Sequence, residues 1–397
     1  MKLAYFVKPH IGGTYTLFRH LRTGLAGYGI DVRWMSCEST AEGAGIRHHD
    51  DEAGCMVTTP ARLSEPERAA ALIRELQRGR YDGVFVNVLT DRLQMNVARY
   101  LPEAMLRIMI VHNITPGTYA AARSLRDSVH ATVGVSERCR RDLVHSHGFP
   151  PEHTVAIPNA VDTSVISVVG RKPRPEGRTR LIFLGRIEDA SKGVFWLPTI
   201  MDRLPQAVSL TVAGDGPDLP RLTRRLERHA GRVRILGAVA PEFIPKLLAS
   251  HDVMVVPSRF EGFGFTIIEA MAAGCVPVAS HISGVTDTII EEDISGLLFP
   301  VGDWGEAADR IARLHESPAF LDELSAGARR RAQSGFGLEA MAEAYFALIE
   351  KLVRERPPLP PPPPIEAWKM PSGLRTSLRT YLPLPIKNFL RVVMERL

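Results

Sequence analysis

Residues 260–274 read FEGFGFTIIEAMAAG, and the parsing of this stretch decides the fold. DVMVVPS (252–258) precedes it and CVPVAS (275–280) follows it, both with the apolar look of buried strand. Between them FTIIEAMAA reads as a helix ended by Gly274. Strand, glycine loop, helix and strand in that order make a βαβ unit, the repeating element of a parallel sheet. Glu261, Gly262, Phe263 and Gly264 then form the strand-to-helix loop at the carboxyl edge of the sheet. A helix N-terminus at that edge offers free N–H groups and a partial positive charge to an anion. Glycine lets the backbone approach such a ligand closely, since no Cβ intrudes.

Outward from this stretch the same alternation fills the chain. Strand candidates in the first half are KLAYFV, DVRWMS, GVFVNVL, RIMIVHN, ATVGVS and TVAIPN. In the second half TRLIFLG, SLTVAGDG and VRILGAV join the two runs already quoted. Helical stretches such as TYTLFRHLRTGLAGYG and PDLPRLTRRLERHAG separate them. Parallel sheets covered on both faces account for strands that are apolar nearly throughout. A chain of 397 residues exceeds one ordinary core and fits two domains. The apolar periodicity pauses at 163–179, TSVISVVGRKPRPEGRT, where Gly, Pro and charge replace it. The expected organisation is therefore a first doubly wound domain over 1–165, a linker over 166–179 and a second doubly wound domain over 180–335. Two such domains in tandem place a ligand cleft between them, outside the carboxyl ends of their strands. A one-sided helix is expected over 336–353, with apolar residues at 338, 341, 345, 348, 349 and 352. Residues 354–397 read as a proline-rich spacer, PPLPPPPP at 357–364, and a basic amphipathic tail.

The net charge of +5 is concentrated at the end, where residues 366–397 hold six Lys or Arg against two Glu. A nearly neutral body argues against nucleic-acid binding. The four cysteines, Cys37, Cys55, Cys139 and Cys275, form no C-x-x-C pair and suit reduced thiols. MKLAYFVKPH is too short an apolar run for a signal peptide. No uninterrupted apolar run approaches the roughly 20 residues of a membrane span, so a cytoplasmic protein is expected.

LIFLGRIEDASKG (181–193) is a second strand followed by a charged loop, with Arg186 and Lys192. Two cations at the end of a central strand suit a diphosphate, Arg as a fork and Lys as a point charge. Two ordinary surface cations are the plainer reading. Glu261 and Glu269 stand with seven residues between them. That spacing permits one carboxylate for a ribose and one for a second sugar, with phosphates between. A helix-capping Glu261 and a surface Glu269 are the plainer reading of that pair.

Taken together, these motifs resemble those of a retaining glycosyltransferase of the GT-B fold, in the family-4-like group that uses nucleotide sugars. The E-x7-E element is Glu261 to Glu269, and the EAMAxGxPV run continues through Ala270, Met271, Ala272, Ala273, Gly274, Cys275, Pro277 and Val278. The G-R-x-x-x-x-K-G element is matched by Gly185, Arg186, Lys192 and Gly193 with one extra residue in the spacing. Gly214, Asp215, Gly216 and Pro217 match its G-x-G-P turn, and VAIPNAVD matches V-I-P-N-G-V-D with Ala160 in place of the glycine. The resemblance covers residues 1 to about 350 and is strongest over 181–300. It implies two tandem Rossmann-like domains facing a central cleft, the first on the acceptor side and the second binding the nucleotide sugar.

The resemblance also implies roles. Glu269 would hold the ribose, and Arg186 and Lys192 the diphosphate, with Gly185 at the head of their loop. Glu261 and the N–H groups of Gly262, Phe263 and Gly264 would hold the donor sugar, and Thr266 a phosphate. The base would meet backbone near Leu236 and Val239. In the first domain, Gly12 and Gly13 would approach the diphosphate, and His112, at the end of RIMIVH, would meet hydroxyls of the donor sugar. Glu261, His112, Arg186 and Lys192 are the candidate catalytic residues. The implied reaction moves a hexose-type sugar from a UDP- or GDP-linked donor to an acceptor hydroxyl with retention, in glycan, glycolipid or polysaccharide assembly. A nucleotide-sugar epimerase or hydrolase of the same fold, or an inactive scaffold, is the alternative.

No metal is expected: no D-x-D ends a strand, and His48, His49, Asp50 and Asp51 lie in an acidic loop without a matching ligand pair. No cofactor is expected beyond the nucleotide-diphosphate sugar as co-substrate. The glycan or lipid-linked acceptor would be read by first-domain loops at 11–20, 40–60 and 87–96. The tail puts Ile386, Phe389, Leu390, Val393 and Leu397 on one face of a basic helix. Two readings stay open for residues 365–397: peripheral contact with the anionic inner face of the membrane, or docking on the protein itself.

Overall fold

The structure is a computed structural model and describes residues 1–10, 12–40, 47–50, 53–88, 91–167, 169–170 and 173–375. The described chain divides into two compact units, Met1–Ala160 with residues 338–375, and Val161–Gly337. Both are parallel-sheet, Rossmann-like domains. No helix among the described residues is long and apolar enough to cross a membrane.

The first unit is built on strands β1 (Lys2–Phe6), β2 (Asp31–Thr40), β3 (Arg47–Asp50), β4 (Gly54–Pro60), β5 (Gly83–Asn87), β6 (Leu106–Val111), β7 (Ala131–Gly134) and β8 (Thr154–Ala156). Their order in the sheet is β3-β4-β2-β1-β5-β6-β7-β8. All pairs are parallel except β3 with β4. Every residue of β5 and β6 is buried, as expected of strands covered on both faces. Only two side chains interrupt the apolar run of these strands. Arg107 donates to the carbonyls of Leu101, Pro102 and Ser128 at one end, and Asn87 closes the other. The chain runs from β1 toward β3 on one side and from β5 to β8 on the other, so the strand order reverses between β1 and β5. Ligands of open parallel sheets bind at such a reversal, outside the carboxyl ends of the strands.

Residues 40–60, expected as a loop, contain the β3–β4 antiparallel pair. The GCMVTTP run of β4 follows an acidic stretch and opens on glycine, which masks its strand character in the sequence. Residues 41–46 and 51–52 and the side chains of His48, His49 and Asp50 lie outside the described residues.

The Leu338–Arg354 helix belongs to this unit and buries Met341, Ala342, Tyr345, Leu348, Ile349 and Leu352. It lies so close to the Gly13–Ala26 helix that a Cβ on Gly24 would sit 2.7 Å from that of Ala342. Phe346 stacks on Tyr28 at 4.3 Å. The segment beyond the prolines, expected as spacer and tail, is bound to this unit over residues 365–375. The Trp368 ring lies 4.7 Å from that of Tyr100, and the Lys369 N–H donates to the Tyr100 hydroxyl at 2.8 Å. Leu374 is buried in the core of the unit. The physical reason is composition: Ile365, Trp368, Met370 and Leu374 supply apolar area that a solvated tail would waste. Residues 376–397, with the five apolar positions expected on one helix face, lie outside the described residues.

The second unit carries β9 (Thr179–Leu184), β10 (Val208–Ala213), β11 (Val233–Gly237), β12 (Val253–Val256), β13 (Val276–His281) and β14 (Leu297–Pro300). The sheet order is β11-β10-β9-β12-β13-β14, with parallel pairing throughout. Here the order reverses between β9 and β12, the two strands that precede the motif loops. The unit begins at Val161, where 165 had been expected to end the first domain. Val161 pairs with Gly337, and its N–H donates to the Phe336 carbonyl at 2.9 Å, which ties both ends of the unit together.

Candidate functional site

In the second unit the loops after β9 and β12 are pressed against each other at the reversal of strand order. Gly193 has φ 59°, and a Cβ there would stand 2.0 Å from the Pro257 carbonyl, so only glycine lets the two loops touch. The Arg259 N–H donates to the Ser191 carbonyl at 2.8 Å. Its guanidinium donates to the Asp189 backbone carbonyl at 2.9 Å and pairs with the Asp189 carboxylate at 2.8 Å. It also lies 4.0 Å over the Trp196 ring. The turn after β10 is equally constrained: Gly214 has φ 136°, and a Cβ would stand 1.8 Å from the Gly185 carbonyl.

This clamp brings Lys192 and Glu261 together. Lys192 Nζ donates to Glu261 Oε1 at 2.5 Å, and the Ser258 hydroxyl donates to the same oxygen at 2.7 Å. Both charges are largely shielded, which keeps the pair from being diluted by solvent. Arg186 stands at the same loop but points outward, with its side chain 65% exposed and a long 3.7 Å ion pair to Glu188. The two expected phosphate cations are thus in different states: Lys192 is held by Glu261, and Arg186 is extended into solvent.

Gly262, Phe263 and Gly264 lead into the Phe265–Ala272 helix. Its N-cap, Gly264, provides no side-chain cap, and the first turn holds no acidic residue. The N-terminus is therefore open to an anion. Thr266 is in that first turn. Phe263 is buried edge-on against Phe265 and Phe336. One turn further in, Glu269 makes no hydrogen bond or ion pair among the described residues, and burial alone pushes its carboxyl up to about 7. An acid is placed in such a setting at a cost, and its hydrogen-bonding capacity is left for something else. Leu236 and Val239, half-buried, flank the carboxyl end of β11, where the Gly237 carbonyl accepts from the Gly214 N–H at 2.7 Å.

The residues expected from the first unit gather at that unit's own reversal point. Gly12 precedes the Gly13–Ala26 helix, whose N-terminus has neither a side-chain cap nor an acid in its first turn. Ile11 lies outside the described residues. His112 follows β6 and lies 2.8 Å, through Nε2, from the Asn87 side-chain oxygen. Burial pushes its imidazole down to about 4, so it is neutral at pH 7.

Four residues that position this chemistry escaped the sequence reading: Ser258, Arg259 and Asp189 in the second unit, and Asn87 in the first. Asn87 carried a visible signal, a single amide at the end of the apolar run GVFVN. Ser258 and Arg259 look like ordinary loop residues until the fold brings Lys192 and Asp189 to them.

The chain matches the family model of glycosyl transferases group 1 over residues 178–317 and that of glycosyltransferase family 4 over residues 11–165. Among curated proteins it is similar to the D-inositol 3-phosphate glycosyltransferase of Geodermatophilus obscurus, 31% identical over 236 residues. That match spans 53% of this chain and only 51% of the relative, about half the length of each. The alpha-D-kanosaminyltransferase of Streptomyces kanamyceticus is 23% identical over 323 residues, 78% of each chain. Among solved structures, Anabaena Alr3699/HepE in complex with UDP and glucose superposes with a TM-score of 0.71 at 17% identity, covering 89% of this chain and 100% of that one.

Proposed function

On the premise that this chain belongs to the family-4-like glycosyltransferases of group 1, we propose that it moves a sugar from a nucleoside-diphosphate donor to an acceptor hydroxyl with retention at the anomeric carbon. The observation that carries this reading is Glu269, a half-buried carboxyl without a partner among the described residues, one turn below an open helix N-terminus. A ribose offers two vicinal hydroxyls that both donate to a carboxylate, and they restore the hydrogen bonds that burial has removed. With the ribose at Glu269, the diphosphate falls at the N-terminus of the Phe265–Ala272 helix. The free N–H groups there and the Thr266 hydroxyl receive its oxygens. The base runs along the backbone at Leu236 to Val239.

The chemistry follows from charge. Breaking the bond between sugar and diphosphate builds negative charge on the leaving oxygen. Lys192, Arg186 and the helix N-terminus supply positive charge at that place, the task that a metal ion performs in other diphosphate sites. Arg186 is free to swing onto a phosphate from its extended position. Lys192 shifts between Glu261 and the diphosphate, so the donor's arrival loosens Glu261 for hydroxyls of the donor sugar. In the first unit, His112 and the Gly12–Gly13 turn are assigned to contacts with a donor by the family resemblance. The acceptor is a glycan or lipid-linked hydroxyl compound, and the reaction belongs to glycan, glycolipid or polysaccharide assembly.

A thermal-shift panel of UDP, GDP and ADP with their glucose and mannose derivatives tests this reading. At least one nucleotide is expected to raise Tm, and its sugar derivative to remain largely intact without acceptor. Stabilisation by none of them would remove the nucleotide site. Rapid acceptor-free breakdown or epimerisation would replace the transferase with a hydrolase or epimerase.

A further inference from the structure

We infer that Asn87 is a positioning residue that holds His112 as the neutral Nε2–H tautomer, so that Nδ1 presents a lone pair to a hydroxyl group of the ligand. The inference rests on the reading of the site as a sugar-donor site, and adds to it which side of the imidazole reads the ligand.

The assignment comes from counting donors and acceptors. Asn87 is the last residue of β5 and is fully buried. Its Nδ2 donates to the Phe6 carbonyl at 2.9 Å. A carbonyl accepts and never donates, so the amide can face Phe6 only with its NH₂ end. The same amide donates to the Tyr5 phenol oxygen, and the Tyr5 hydroxyl in turn donates to the Thr14 carbonyl at 3.1 Å. With the NH₂ group committed to β1, Oδ1 is left to face His112 Nε2 at 2.8 Å. An amide oxygen is acceptor only, so Nε2 must carry the proton.

The second ring nitrogen has no partner among the described residues. The imidazole is neutral at pH 7, because burial works against its charged form and no carboxylate or cation among the described residues acts on it. Tyr5 is the titratable neighbour in the network, and burial keeps its phenol protonated. A neutral ring with a free Nδ1 lone pair accepts a hydrogen bond and repels an anion. It therefore suits a sugar hydroxyl and not a phosphate oxygen. The network also lies at the reversal of strand order, where β1, β5 and β6 meet and the Gly13–Ala26 helix begins, so one buried amide ties all four to the imidazole.

The tautomer is read directly from two-bond ¹H–¹⁵N spectra of the full chain labelled with ¹⁵N-histidine, with His112 identified by its loss in His112→Gln. The Nε2–H pattern is expected from pH 5.5 to 8. An Nδ1–H pattern, or titration within that range, overturns the inference and leaves the nucleotide site untouched. For the ligand, the nucleoside diphosphate among UDP, GDP and ADP that binds best is compared with its glucose derivative. The sugar nucleotide is expected to shift the His112 Nδ1 resonance and the bare nucleotide to leave it in place. Equal shifts from both would assign His112 to phosphate and contradict the proposal. Asn87→Ala is expected to lower kcat about 10-fold or more, with the affinity for the bare nucleotide unchanged. Unchanged kcat would reduce Asn87 to a structural amide.

Discussion

Glu269 is the side chain whose environment says most about the site. In the unfolded chain its carboxyl titrates near 4.5, and in the folded ligand-free protein near 7. A raised folded value means that folding is not penalised below about pH 4.5. The penalty grows as pH rises, and is complete above about pH 7. It amounts to about 3 kcal/mol at most. Glu269→Gln is therefore expected to stabilise the ligand-free protein at pH 8 and to leave it unchanged at pH 4, measured by urea melts at both. An equal effect at the two pH values would show that folding leaves the titration of this carboxyl unchanged. Lys192 makes the complementary case. Lys192→Met removes the partner of a shielded Glu261, and should cost about 1–2 kcal/mol of stability. It should also weaken nucleoside diphosphate binding about 10-fold while leaving monophosphate binding nearly unchanged, as calorimetry would show. Equal losses for both nucleotides would place Lys192 away from the second phosphate.

Among the elements, the segment over Ile365–Leu374 takes one of the two readings its sequence left open, docking on the protein itself. Proline runs are usually spacers, and the residues after 364 carry the charge expected of a tail. Their apolar side chains decide otherwise, with Leu374 only 3% exposed in the core of the first unit. Leu374→Ala is expected to cost about 2–3 kcal/mol. A melting temperature equal to wild type would mean that the segment contributes nothing to the unit. Strands and helices with strong apolar periodicity were legible in the sequence, including the glycine loop at 262–264 and the helix bearing Glu269. The β3 strand was not, because RHHD is four polar residues, and the docking of the C-terminal segment was not, because it rests on residues such as Tyr100 that are distant in sequence. The site was legible where one loop carries it. It was not legible where two loops meet, as in the Lys192–Glu261–Ser258 cluster, or where a buried amide stands behind a histidine.

The described chain consists of two units, each with its own parallel sheet and its own reversal of strand order, and in each unit the candidate residues stand at that reversal. The second unit holds the open helix N-terminus, Lys192, Glu261 and Glu269. The first holds the Gly12–Gly13 turn and His112 with its supporting amide. The central claim is that the second unit binds a nucleoside diphosphate through Glu269 and the helix beside it. Calorimetric titration of UDP, GDP and ADP into the wild-type chain and into Glu269→Ala tests it most directly. At least one nucleotide is expected to bind the wild type, and to bind the variant at least about 10-fold more weakly. Binding of none of them, or equal affinity in both proteins, would contradict the claim.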